Sequence, residues 1–167
     1  METHDQYDCG VCADGPLAFD ALTLEHIREH GCSVIGVAEC FGTGTPALSY
    51  SVGLGQTAHA PEVCLTGLPP SVAHPLINRY RRRVLDGERF LPGPAYADFL
   101  EGYDVYLLPV KPSELHWLGQ AGWFHHGWQF AAVQMIYPSR EGLWPWDRHY
   151  PASMRRVQRL LCEARRP

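Results

Sequence analysis

Apolar and polar positions change period several times along the chain, and each change predicts an element. From Asp20 to His30 the apolar Leu24 and Ile27 fall on one side of a helical period. Asp20 can cap that helix, and Gly31 can end it in the left-handed conformation. Cys32 to Ala38, with Val34, Ile35 and Val37, predicts a strand. Ala47 to Leu54 keeps the clearest period of two in the sequence: Leu48, Tyr50, Val52 and Leu54 point one way, and the smaller Ala47, Ser49, Ser51 and Gly53 the other. Glu62 to Leu68 predicts a third strand between Pro61 and Pro69.

Val72, Leu76, Tyr80 and Val84 recur at a helical spacing and predict a long helix from Ser71 to Asp86. Pro75 is tolerated there from the first turn, and Gly87 closes the helix. Asp104 to Val110 predicts a strand, and Ser113 to Leu118 a short capped helical turn. Trp128 to Tyr137 is apolar on both sides and predicts a central strand. Leu143 to Asp147 forms an aromatic turn, and Ser153 to Ala164 a basic amphipathic helix.

Short strands joined by turns, with one helix long enough for a crossover, point to an α+β fold with a largely antiparallel sheet or split-barrel-like core flanked by helices. Residues 1–19 form a Cys-bearing N-terminal arm, 20–150 a single α+β domain, and 151–167 a basic C-terminal tail helix. The 167 residues, 46% hydrophobic and 19% charged, are enough for one packed core.

A formal charge of −4 argues against a general nucleic-acid binder. The basic runs at Arg81, Arg82 and Arg83 and at Arg155, Arg156 and Arg159 read as solvated helix faces. The polar, acidic opening lacks the apolar stretch of a signal peptide, and no run is long enough to span a membrane. The expectation is a cytoplasmic protein, with its Cys residues as thiols or metal ligands rather than disulfides.

Several segments between His30 and Asp147 carry a family resemblance. They are His30-Gly31, Leu48-Ser-Tyr-Ser-Val-Gly-Leu54, Pro61-Glu-Val-Cys-Leu-Thr-Gly-Leu-Pro69, Leu76-Ile-Asn78, Ala132-Val-Gln-Met-Ile-Tyr-Pro138 and Gly142-Leu-Trp-Pro-Trp-Asp147. In this order they resemble an uncharacterised family, the domain of unknown function DUF 4262. Many members also resemble this chain in opening with a Cys-x-x-Cys arm, here Cys9 and Cys12. The chain departs from the family pattern at Cys32, where Trp is usual, and at His126-Gly127, where an aromatic-Gly pair is usual. The resemblance implies kinship and fold and carries no reaction. The order of strands around the long helix also resembles flavin-binding split barrels, which would imply a flavin cofactor; that is an analogy of fold alone.

Cys9, Cys12, His26 and His30 have the spacing of a two-Cys, two-His zinc site. Two thiolates on one turn and two His on one helix face can close a tetrahedron, giving a structural zinc clamp with no position open to substrate. The same helix reads His26-Ile-Arg-Glu29-His30, the inverted zinc-protease order, but no third protein ligand is evident. A second cluster is Trp123-Phe-His125-His126-Gly-Trp128. His125 and His126 are the candidate catalytic groups, since an imidazole can move a proton near neutral pH. Ser49, Ser51, His59 and Trp128 are the candidate ligand contacts, provided that the strands bring them into one cavity.

Walker, dinucleotide-binding and Gly-x-Ser-x-Gly motifs are missing. The reading is an accessory protein or accessory enzyme acting on a small molecule or peptide. The alternatives are a protein–protein interaction module built on the tail helix and aromatic turn, and a flavin-binding split barrel.

Overall fold

A computed structural model describes residues 16–163, so Cys9 and Cys12 lie outside the described residues. Helix α1 (Pro16–His30) ends where Gly31, at φ +81°, donates its N–H to the Ile27 carbonyl. There follow β1 (Ser33–Val37), β2 (Leu48–Val52), the single turn α2 (Leu54–Thr57), β3 (Glu62–Thr66), the long α3 (Pro70–Leu85), β4 (Tyr96–Leu100) and β5 (Tyr103–Pro109). A 3₁₀ segment (Pro112–Trp117), α4 (Gly119–Phe124), β6 (Ala132–Ile136) and α5 (Ala152–Val157) complete the chain.

The strands form one open sheet in the order β1-β2-β3-β6-β5-β4. Every pair is antiparallel except β3–β6, which run parallel. The chain leaves β3, passes through α3 and the β4–β5 hairpin, and returns as β6 beside it. The fold is therefore α+β as expected. It is an open sheet rather than a barrel, because β1 and β4 stand at opposite edges. None of the described helices is long and apolar enough to cross a membrane.

Each face of the sheet carries its own core. On one, Val63, Leu65, Leu107 and Met135 pack against Ala73, Ile77, Tyr80 and Val84 of α3. On the other, Tyr50, Val52 and Cys64 pack against Ile27 of α1 and against Leu115, Leu118 and Ala121. β2 is buried on both sides, so its alternation separates two interiors rather than core from solvent. The small face expected on β2 is covered by α3. Ser49 pairs with Gly36 in register, and a Cβ at Gly36 would come within 2.8 Å of His74 Nε2 and 3.1 Å of Pro70 Cβ. Small residues there let a helix lie close to the strands.

Several boundaries differ from the sequence expectation. α3 opens with Pro70, so Pro75 sits in the second turn, where one helical hydrogen bond is forgone. The strand expected from Trp128 begins only at Ala132, because His126 at φ 57° and Gly127 at φ 144° turn the chain first. The tail helix expected over Ser153–Ala164 stops at Val157.

Two buried glutamines explain that stop. Gln158 donates from Nε2 to the Tyr137 carbonyl and the Tyr150 hydroxyl, and accepts the Tyr137 N–H at Oε1. Gln134 donates to the Arg159 carbonyl and accepts the Leu161 N–H. These bonds replace helix bonds with strand-like ones and draw Leu161 and Cys162 into the core. Residues 158–162 thus pack into the domain, whereas α5 itself buries no residue.

Candidate functional site

Glu62, the first residue of β3, has a side chain only 1% exposed. A carboxylate removed from water needs its oxygens satisfied, and three elements supply donors. From β2, the Ser51 hydroxyl donates to Oε2 at 2.7 Å. From the turn after β2, the Gly53 N–H donates to Oε1 at 2.8 Å, with Gly55 N more distant at 3.5 Å. From the end of α4, His125 donates from Nε2 to Oε1 at 3.0 Å. Gly53 sits at φ +111° with Ile27 pressed against it, a backbone that only glycine adopts readily.

That bond fixes the imidazole. Phe130 stacks on it, centroids 4.7 Å apart and planes 16° apart, and Phe124 meets it edge-on at 5.1 Å. A Cβ on Gly55 would lie 3.2 Å from His125 Cε1, so the missing side chain leaves room for the ring. The His125 side chain keeps 16% exposure. Among the described residues its Nδ1 has no hydrogen-bond partner, and the atom is not sealed from water.

The order of contacts decides the chemistry. In a serine-hydrolase triad the imidazole stands between hydroxyl and carboxylate. Here Glu62 stands in the middle, and Ser51 and His125 meet it from two sides. Ser51 Oγ also accepts the Val63 N–H at 2.9 Å and is completely buried. Ser51 is therefore committed to holding the carboxylate and is not a nucleophile. His125 is left as the group whose second nitrogen has no partner among the described residues, with a carboxylate behind the first.

The sequence-derived candidates divide accordingly. Ser51 and His125 come together through Glu62. Ser49 lies completely buried on the α3 side, its hydroxyl without a partner among the described residues. His59 is exposed in the turn after α2 at φ 48°. His126 is exposed beside His125, and its backbone is left-handed at φ 57°. Trp128 is 47% exposed and packs its ring edge on Gly122 of α4.

Glu62, which joins the cluster, was legible only as the polar first residue of an otherwise apolar strand. A charge at the head of a strand buried throughout was the available signal.

His26 and His30 share one side of α1, with ring centroids 6.2 Å apart. His26 Nδ1 lies 3.3 Å from Ser33 Oγ, which leaves Nε2 free. Among the described residues no three His, Cys, Asp or Glu side chains gather closely enough to hold a metal ion. The thiols of Cys32 and Cys64 are buried, and burial pushes Cys32 up to about 12, so both are inert packing groups.

A family model described as a domain of unknown function, DUF4262, matches residues 26–151. No curated protein and no solved structure matches this chain.

Proposed function

We propose, from the premise that the chain belongs to the DUF4262 family, that Glu62 and His125 form a general acid–base pair acting on a small molecule or peptide. The observation that carries this is the buried carboxylate holding Nε2 of a mostly covered imidazole whose Nδ1 is not sealed from water. In this reading Nδ1 takes a proton from a bound ligand, the resulting imidazolium is stabilised by Glu62, and the proton is returned from Nδ1. Ser51 and the Gly53 N–H are positioning groups: Ser51 holds Oε2, and the Gly53 N–H shares Oε1 with the imidazole.

The exposed Trp123 and Trp128, on either side of His125 in sequence, supply apolar surface for the ligand. Flavin has less support, since the analogy rests on a barrel and the sheet here is open.

The test is the tautomer. Long-range ¹⁵N–¹H NMR should find neutral His125 protonated on Nε2, and a fragment screen should perturb His125 in the wild type but not in His125→Gln. A neutral His125 protonated on Nδ1 would leave no free base and end the reading.

We also propose a structural zinc clamp formed by Cys9, Cys12, His26 and His30. It is supported by their spacing and by the two imidazoles sharing one side of α1. His26 Nδ1 held by Ser33 Oγ is the kind of outer contact that orients a metal-binding imidazole.

A further inference from the structure

At the opposite end of β3 from Glu62, a groove of about 320 Å³ lies between the loop around Gly44 and Pro46, the turn at Pro145, and the last helix. It is lined by Arg155, Arg156 and Arg159 and by no acidic residue. Three cations together are unexpected in a chain of net charge −4 unless something offsets them.

Little on the protein does. Arg155 is held by neutral groups: its Nη1 donates to the Pro145 carbonyl at 2.8 Å, its Nη2 to the Asp147 carbonyl at 3.3 Å, and its guanidinium lies 5.5 Å from the centre of the Tyr150 ring. Arg159 stacks over Trp117 at 4.6 Å. Its one carboxylate among the described residues, Glu114 at 3.5 Å, is shared with Lys111 at 3.9 Å. Arg156 makes no hydrogen bond or ion pair among the described residues.

One guanidinium is thus oriented by carbonyls and an aromatic ring, a second by an aromatic ring and a carboxylate that Lys111 shares, and the third has no polar partner among the described residues. A guanidinium held in place while keeping N–H groups to spare is a forked donor that can grip a tetrahedral oxyanion. Pro46, Pro145 and Leu160 add apolar wall beside the charges. The volume lies near the lower end of the roughly 300–1,000 Å³ usual for small-molecule sites, which suits a phosphate group with a small organic part.

We infer that this groove binds a small, soluble phosphate monoester through Arg155, Arg156 and Arg159. The site stands apart from the Glu62–His125 pair and does not depend on it.

The experiment titrates inorganic phosphate into the ¹⁵N-labelled protein at constant ionic strength, with chloride as the control. Saturable shifts are expected in Gly44, Arg155, Arg156 and Arg159. Arg156→Gln, which removes no contact of the fold, should weaken the affinity about tenfold, the loss of one charge-assisted contact. Arg159→Gln gives a second reading of the same loss. Shifts that do not saturate, that chloride reproduces, or that both variants leave unchanged would overturn the inference.

Discussion

His125 Nε2 lies 3.0 Å from Glu62 Oε1, joining residues 63 apart in sequence at the head of β3 and the end of α4. The link is part of the architecture as well as a source of chemistry. The same carboxylate ties β2 through Ser51 and the following turn through Gly53, so one side chain gathers three segments. The imidazole is placed by this hub rather than by its own helix, which is only six residues long.

Replacing Glu62 by Gln therefore tests the hub. One amide oxygen can still face the Gly53 N–H and His125, but the amide nitrogen then faces the Ser51 hydroxyl. Ser51 Oγ already accepts from Val63 N–H, so its bonding pattern is broken. The expected cost is about 1–3 kcal/mol, read from urea unfolding, as for a buried donor left unpaired. A change within a few tenths would mean that the carboxylate holds nothing in place.

Gly67 follows β3 at φ +82°, and a Cβ there would come 2.5 Å from the Val157 carbonyl oxygen. Both the backbone and the contact exclude a side chain, and the neighbour is main chain that cannot swing aside. Gly67→Ala should cost more than about 2 kcal/mol and should loosen the tail first. Hydrogen exchange would register this as lost protection at Leu161 N–H, which Gln134 otherwise accepts. Retained protection at Leu161 would show that the tail docks independently of this contact.

The fold was legible where a period and a terminator agreed. Gly31 ended α1, and the four-residue recurrence from Val72 to Val84 marked α3. The antiparallel pairing of β1, β2 and β3 followed from short strands and short turns. β4 was missed because Tyr96–Leu100 is half exposed and interrupted by Asp98 at φ 66°, which leaves no clean alternation. The tail was misjudged because its basic helical pattern runs on past Gln158, while the bonds that stop it come from Tyr137, Tyr150 and the main chain far away in sequence. The cluster was half legible for a similar reason: Ser51 and His125 are residue types that advertise chemistry, whereas Glu62 becomes informative only when burial is known.

The proposed zinc clamp makes a compositional prediction. Protein purified without chelator should hold about one zinc per chain, and Cys12→Ser should release it. Because the described residues alone gather no metal-binding set, His26→Ala and Cys9→Ser should each lower the content as well. Elemental analysis that finds no zinc in such protein would remove the clamp.

His74 supplies a pH dependence with a definite sign. It lies on α3 against β1, its Nε2 is sealed from water without a partner, and burial lowers its pKa from the ordinary 6.5. The neighbouring Ser49 strand offers no carboxylate, so nothing there offsets a charge on the ring. The unfolded chain then binds a proton at a higher pH than the folded one does. Unfolding is favoured progressively as pH falls below about 6.5, until the folded-state pKa is reached, and this contribution is absent at higher pH. His74→Leu fills the same space with no titrating group, so its urea midpoint should fall less than that of the wild type between pH 7 and about pH 5. The comparison cancels the other histidines, which both proteins share. Parallel loss of stability in the two proteins would place the acid sensitivity elsewhere.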